Sequence, residues 1–546
     1  MRFGGNCTRR MTLALYGLVA AAEFCFGQGA MENPVMPQTK THPAGMALKV
    51  AVRSASQVQQ LNNIRFADQF SGSDCGAKIK AANDDLGSSA GEIWVSQLCG
   101  TTISTPVALG AGHTLRFVQG AIYKLRATLT LADNDSIVGP PAAINEDVLA
   151  GLLNPQVTVQ QPPSTNLSEM VLIKGQNIVL ENFALDGNAR AGGNESTVGI
   201  AYDNSDGAPN NRGRLRLKYI TVENCGSDNV QITSDTNGNN QAIGAYIQDS
   251  SLSRSSGGNG ITITRTSDVK IWRTSFEFND KYGVRSIDSN MMVAFSDISV
   301  NAAGQVYASE DLTSHRFVYM QNGPTLFNNG IVTTAVSSDL NENLDSAVII
   351  DGYNGADCNH QGQSVVTNNV ISAPGGLQDN VIDAIRVMDS GSNRFYGNTI
   401  FSSNGPASRL RYGVNIGSVH CSAENSDNLF GNGFFGAFGT APYHFASTTE
   451  GLMNTIGVAP GEQRKRVASC TTSARSNATC STTVSWPTPL ADAGYTASCS
   501  LDESSHPAFI TSTSSKKAAS IVVTIENAPG SAQAASGTLN CIAIHD

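Results

Sequence analysis

Aromatic residues are scarce in this sequence, at 7% of 546 positions, and charged residues reach only 15%. After Phe26 no apolar run approaches the ~18 residues of a spanning helix, so the mature chain is expected to carry no membrane span. No Cys-x-x-Cys pair and no His/Cys cluster has metal-ligand spacing, which speaks against a zinc site, and no metal ligands are assigned. The histidines are scattered without a nucleophile partner. A Gly-rich phosphate loop, a Ser-hydrolase elbow and a run of basic residues are all missing, so neither nucleotide chemistry nor a nucleic-acid partner is expected.

Glycine is plentiful, with 53 residues, and it falls in a pattern. Val222 to Ile232 forms an apolar strand, a polar turn (Asn224-Cys225-Gly226-Ser227-Asp228-Asn229) and a second strand. The same pattern returns at Leu252–Ile263, Phe276–Val284 and Ile298–Val306. With Val230, Ile261, Val284 and Val306 taken as equivalent, the offsets are 31, 23 and 22 residues. Period-two strands repeating every twenty to thirty residues, with no helix between them, describe a β-solenoid. One coil cannot bury its inward side chains alone. Stacked coils bury them in a continuous core, while Asn, Gly, Asp and Ser serve the corners. The fold class read from this is all-β: a right-handed parallel β-helix with a short N-terminal capping helix and a small C-terminal β-sandwich.

A second repeat pairs Ile385-Arg386-Val387 with Val414-Asn415-Ile416, and Asn369-Val370-Ile371 with Asn398-Thr399-Ile400; Asn432 continues it. An asparagine ladder at one corner is the expected role of Asn369, Asn398 and Asn432. The polar segment 189–212 interrupts the regular coils, as do 310–329 and 337–345, and loops of this kind line a solenoid's groove.

The ends differ from the middle. Arg2, Arg9 and Arg10 precede the apolar run Met11–Phe26 and the small residues 27–30, so residues 1–28 read as a secretory signal peptide and the protein as secreted, to the cell surface, the medium or the periplasm. Residues 29–66 read as a flexible lead-in and 67–460 as the β-helix, opening with a helix over 73–86 that has Asp74 as its N-cap. Residues 460–466 read as a polar linker and 467–546 as the sandwich. In an exported chain Cys75 and Cys99 are expected to pair, and Cys358 and Cys421 are candidates to do so across coils. Cys470, Cys480, Cys499 and Cys541 allow three pairings that the sequence leaves open. Without the two leader cysteines nine remain, so at least one thiol stays free, with Cys225 the candidate.

The opening helix, Gly91-Glu92-Ile93-Trp94-Val95, Thr114-Leu115 and Ser136-Ile137-Val138-Gly139 together resemble the entrance to the pectate-lyase superfamily of β-helix proteins, over roughly residues 67–460. That superfamily spans lyases, hydrolases, isomerases, tailspikes and adhesins, so the resemblance implies fold more than chemistry. Within the central coils, Asn204-Ser205-Asp206-Gly207, Ser227-Asp228-Asn229, Gly258-Asn259-Gly260 and Val284-Arg285-Ser286-Ile287 resemble in order the groove motifs of polygalacturonases. The resemblance implies Asp228 as general acid, Asp206 as the carboxylate that activates water, and Arg285 as a bidentate partner of a substrate carboxylate. It is incomplete. Asn229 stands for a second Asp, Asn259 for a His and Ile287 for a Lys, and Asn cannot serve as a general base.

A lyase needs a base and a cation on the uronate, and Asp280-Lys281-Tyr282-Gly283-Val284-Arg285 gathers such groups, with Lys281 and Arg285 as the catalytic candidates. Asn229, Asn259, Asp280, Tyr282 and Arg254 complete the expected substrate-binding set. No cofactor is predicted, with Ca²⁺ entering only in the lyase alternative. Arg214, Arg216 and Lys218 alternate and so share one strand face. Between 190 and 290 the chain has 11 basic and 11 acidic residues, against −10 overall, which favours an anionic glycan there. The expectation is an exported protein that binds, and as hydrolase or lyase cleaves, an acidic polysaccharide. Its rival is a non-catalytic surface or adhesion protein that uses the solenoid as a stalk.

Overall fold

The computed structural model describes residues 63–118, 120–141, 155–204, 213–234, 243–309, 324–332, 346–352, 364–373, 381–391, 393–403, 409–417, 428–445, 455–457, 462–486, 493–502 and 504–544. The expected signal segment, Asp206, Cys358 and Cys421 lie outside the described residues.

Each coil runs through three strands, and strands of successive coils pair in parallel. The result is three long sheets. Sheet A has 14 strands, from Ile64–Phe66 to Thr455–Gly457. Sheet B has 12, from Thr102–Ile103 to Gly433–Phe435, and sheet C has 12, from Val107–Ala108 to Ala441–Phe445. The chain is a right-handed parallel β-helix. Its register matches the sequence repeat: Val230 faces Ile261, Ile261 faces Val284, and Val284 faces Val306. These residues are fully buried in one apolar core that runs from Ala67 to Leu429.

From the strand Ile178–Glu181 onward the turn from sheet A to sheet B is two residues long. Its first residue has a left-handed backbone, at Asn182, Tyr219, Asp249, Arg273, Phe295, Asn328, Asn368, Gly397 and Gly431. Its second residue points inward: Phe183 and Ile220 join the apolar core, while Ser250, Ser296 and the asparagines that follow bond the neighbouring coil. Asn329 Nδ2 donates to Asn369 Oδ1 (3.0 Å), Asn369 to Asn398 (3.0 Å) and Asn398 to Asn432 (2.9 Å). Each Oδ1 also accepts the backbone N–H of the preceding Asn. The expected ladder is present and starts one coil earlier, at Asn329. Paired this way, a buried amide carries no desolvation debt.

The N-terminal cap is the helix Cys75–Leu86, begun by Asp74 Oδ1 accepting from Ala77 N (3.1 Å), with Ile79, Ala82 and Leu86 buried. Cys75 and Cys99 form a disulfide. Ordered structure starts earlier than the expected lead-in allows, because Ile64–Phe66 pairs with Gly91–Val95 and extends sheet A.

At the C-terminus two three-stranded antiparallel sheets enclose Val484, Trp486, Tyr495, Val523, Ile525 and Leu539. The pairings left open by the sequence are Cys470–Cys480 and Cys499–Cys541. The expected linker at 460–466 is corrected: Glu462–Ala468 is a strand paired with Thr538–Ile544. The three disulfides among the described residues suit an oxidising compartment, and no helix among the described residues is long and apolar enough to cross a membrane.

Candidate functional site on the outer face of sheet C

Strand alternation sorts the residues of Tyr282–Ile287. Val284 and Ser286 are buried, and Arg285 points out. Register then lines Gln231, Thr262, Arg285 and Tyr307 along neighbouring strands. Arg285 Nε is buried without a hydrogen-bond partner. Tyr307 packs on Tyr282, with ring centroids 5.1 Å apart, and its hydroxyl donates to Asp351 Oδ2 at 3.4 Å. Burial and then the Asp351 carboxylate push the Tyr307 phenol up, against the pull of Arg285. Lys281 is exposed on the turn just before this strand.

The turns from sheet B to sheet C form one rim of this face. The short helix Ala189–Gly192 places Arg190 so that it donates to Asp280 Oδ1 (2.9 Å) and the Phe278 carbonyl (3.2 Å). Arg254 lies 3.5 Å from Glu223 Oε2. Between these groups is an open depression of about 590 Å³, lined by Arg190, Glu195, Ser196, Ser227 and Ser256. Asp280 and Arg254, expected to meet substrate, are thus both held in ion pairs.

Asp228 is buried, and both its oxygens are engaged. Oδ1 accepts from the backbone N (2.6 Å) and side chain (3.0 Å) of Asn259, and Oδ2 from Gln231 Nε2 (2.9 Å). Asn259 in turn donates to Thr262 Oγ1 (2.9 Å), and its Oδ1 accepts from Tyr282 N (3.0 Å). This chain of bonds sets the height of three successive strands. The geometry makes Asp228 and Asn259 braces beneath the face. Asn229 likewise turns inward, donating to the Ser253 carbonyl and to Asn279 Oδ1 (3.1 Å), which leads into a second ladder through Asn301 to Gln305.

Asp206 lies outside the described residues; the strand before it ends at Asn204, which faces Ser234, six residues beyond Asp228, and one coil here is 30 residues, Val230 answering to Ile200.

Other carboxylates do pair, on sheet B. Asp186 and Glu223 are in register on neighbouring strands. Asp186 accepts from Gln160 Nε2 (2.6 Å), Asn188 N (2.9 Å) and Asn224 Nδ2 (3.2 Å), while burial and then Asp186 push the Glu223 carboxyl up. Sequence reasoning missed this pair, and it missed Tyr307 and Asp351. The frame that aligns Val284 with Val306 already places Tyr307 at the Arg285 position; the strand of Asp351 follows a long insertion that hides its register. Among the described residues no three His, Cys, Asp or Glu converge as a metal site. Among the described residues Cys225 is the free thiol, and burial pushes its pKa up and leaves it inert.

No protein-family profile matches the sequence, and no curated protein does. Solved structures do. The tailspike protein gp49 from Pseudomonas phage LKA1 is 11% identical with a TM-score of 0.33, over 83% of this chain and 66% of that one. The gp54 tailspike of Acinetobacter baumannii bacteriophage AP22, in complex with a capsular saccharide, is 9% identical with a TM-score of 0.35, over 91% and 99%. The Streptococcus pneumoniae surface protein and adhesin PfbA is 14% identical with a TM-score of 0.40, over 70% and 99%. Likeness this distant assigns no role to any residue here.

Proposed function

We propose that this protein is exported and binds an acidic polysaccharide along the outer face of sheet C. The observation that carries the reading is Arg285. Its buried Nε has no protein partner, and a guanidinium in that state gains most from a planar anion such as a uronate carboxylate. Tyr282 and Tyr307 beside it offer ring faces for sugars, and exposed Lys281 adds charge at the rim.

The test is titration of the mature protein with polygalacturonate, alginate, hyaluronan and a neutral glucan. Saturable binding to an acidic glycan, lost on Arg285→Ala with an unchanged melting temperature, is expected. Binding that ignores this substitution overturns the reading.

A hydrolytic reading has its own observation, the Asp186–Glu223 pair. Glu223 is pushed toward its protonated form by burial and then by Asp186, which lies in register beside it and accepts three hydrogen bonds. Two neighbouring carboxyls, one of them raised, are what glycoside hydrolysis requires. New reducing ends, abolished by Glu223→Gln, are the expected signature. Ultraviolet absorbance from unsaturated uronides, with or without Ca²⁺, would instead mark elimination and direct attention to Lys281 and Arg285.

A further inference from the structure

The alternating Arg214, Arg216 and Lys218 lie on sheet A, a different face from the Arg285 site, and they border a strip of aromatic rings. Register places Lys218, Gln248, Trp272, Ala294 and Phe327 in one outward column of that sheet. The gap left by the small Ala294 is filled from the side by Phe295, whose ring lies 4.7 Å from Trp272 and 5.5 Å from Phe327. Tyr246 stands beside them in the next column, facing Arg216 and Lys270. Phe295 is 43% exposed and Tyr246 37%, so the strip is open to solvent.

The backbone gives a second, independent observation. In the turn from sheet A to sheet B the left-handed position is filled by Asn, Asp or Gly at six coils. At three of the five coils that carry the strip it is Tyr219, Arg273 and Phe295, and at the other two Asp249 and Asn328. Large side chains rarely accept that conformation. Within this turn the large residues stand only on the strip, although Arg254, Phe278 and Val300 are also left-handed, in turns from sheet B to sheet C.

The charge is equally local. Arg216 is exposed, and Lys218 Nζ sits 4.5 Å from the centre of the Tyr219 ring. Lys270 pairs with Asp268 (3.1 Å) and Arg273 with Asp249 (2.6 Å). Cations therefore outnumber carboxylates along the strip, in a chain of net charge −10. Rings rise from coil to coil at about 4.8 Å, close to the advance of one sugar residue along an extended glycan.

We propose that this strip is a second polysaccharide-binding surface. Sugar rings stack on Trp272, Phe295 and Phe327, and the anionic groups of the glycan meet Arg216, Lys218 and Lys270. The proposal rests on the reading that the ligand is an acidic polysaccharide, and it adds a site on a separate face of the solenoid.

The test is electrophoresis of the full chain through gels cast with polygalacturonate, alginate or hyaluronan, alongside titration with short oligomers of the same sugars. The variant is Phe295→Asn, which removes the ring and suits the left-handed backbone, so the protein stays folded. Expected is a roughly tenfold weaker retardation by the polymer, with oligomer binding at Arg285 unchanged. Retardation lost in Phe295→Asn but kept in Arg285→Ala supports the strip and sinks the sheet C site. Retardation lost in Arg285→Ala but kept in Phe295→Asn does the reverse. A wild-type protein that no gel retards overturns the strip. So does sedimentation in which Phe295→Asn converts an oligomer to monomer while polymer binding is unaltered, because the strip would then be an interface between copies of the chain.

Discussion

Arg285 and Tyr307 face each other on adjacent strands of sheet C, and the ring of Tyr282, which opens the strand of Arg285, packs against Tyr307. One cation and two rings are thus presented together by parallel pairing alone. If the rings carry sugar contacts, Tyr282→Ala lowers acidic-glycan affinity by about tenfold, while Tyr282→Phe keeps it. Isothermal titration checks both, and equal loss in the two variants would assign the effect to the hydroxyl.

The asparagine ladder is a stability device with a measurable size. In Asn398→Ala the backbone N–H of Asn369 loses its acceptor and the Val366 carbonyl loses a donor, both in the interior. A loss of about 2–5 kcal/mol is expected, read from the urea midpoint. A loss below about 1 kcal/mol would mean that the ladder relaxes around the gap.

Val300 holds a left-handed backbone, with φ of 56°, which a β-branched side chain resists. Val300→Asn should therefore raise stability by about 1 kcal/mol. Thermal unfolding of the two proteins side by side provides the comparison.

Burial and then the neighbouring Glu277 raise the Asp297 carboxyl to about 6. A raised acid binds its proton more tightly in the folded state, so its ionisation subtracts stability as pH climbs from about 4 to 6. Asp297→Asn should then melt higher than wild type above pH 6, by at most about 3 kcal/mol, and match it at pH 4. An advantage that persists at pH 4 would point to packing instead of charge.

In the C-terminal module Cys499–Cys541 closes a span of 42 residues and Cys470–Cys480 one of 10. Chain entropy predicts that removing the longer closure costs about 1 kcal/mol more. Paired Cys→Ser variants, unfolded in denaturant, give that difference directly.

The legible part of this molecule was whatever repeats. Val230, Ile261, Val284 and Val306 share a register that their spacing already announces, and Asn369, Asn398 and Asn432 stack at the interval at which they recur. Asp228 and Asn229 stand in the structure as corner braces, and corner braces and groove carboxylates are drawn from the same polar residue types. Which one a residue becomes depends on whether a neighbouring coil supplies its hydrogen bonds, as Asn259 and Gln231 do for Asp228.

By itself, then, the sequence determined the solenoid, its caps and its inward faces, since alternation and corner chemistry are local properties that every coil restates. Only the tertiary structure decided which outward residues meet. Coil lengths vary with each inserted loop, so a carboxylate, a cation or a ring finds its neighbour through register. Tyr307 beside Arg285, Glu223 beside Asp186 and Phe295 between Trp272 and Phe327 are contacts made by stacking, between residues that lie 22 to 37 positions apart in the chain.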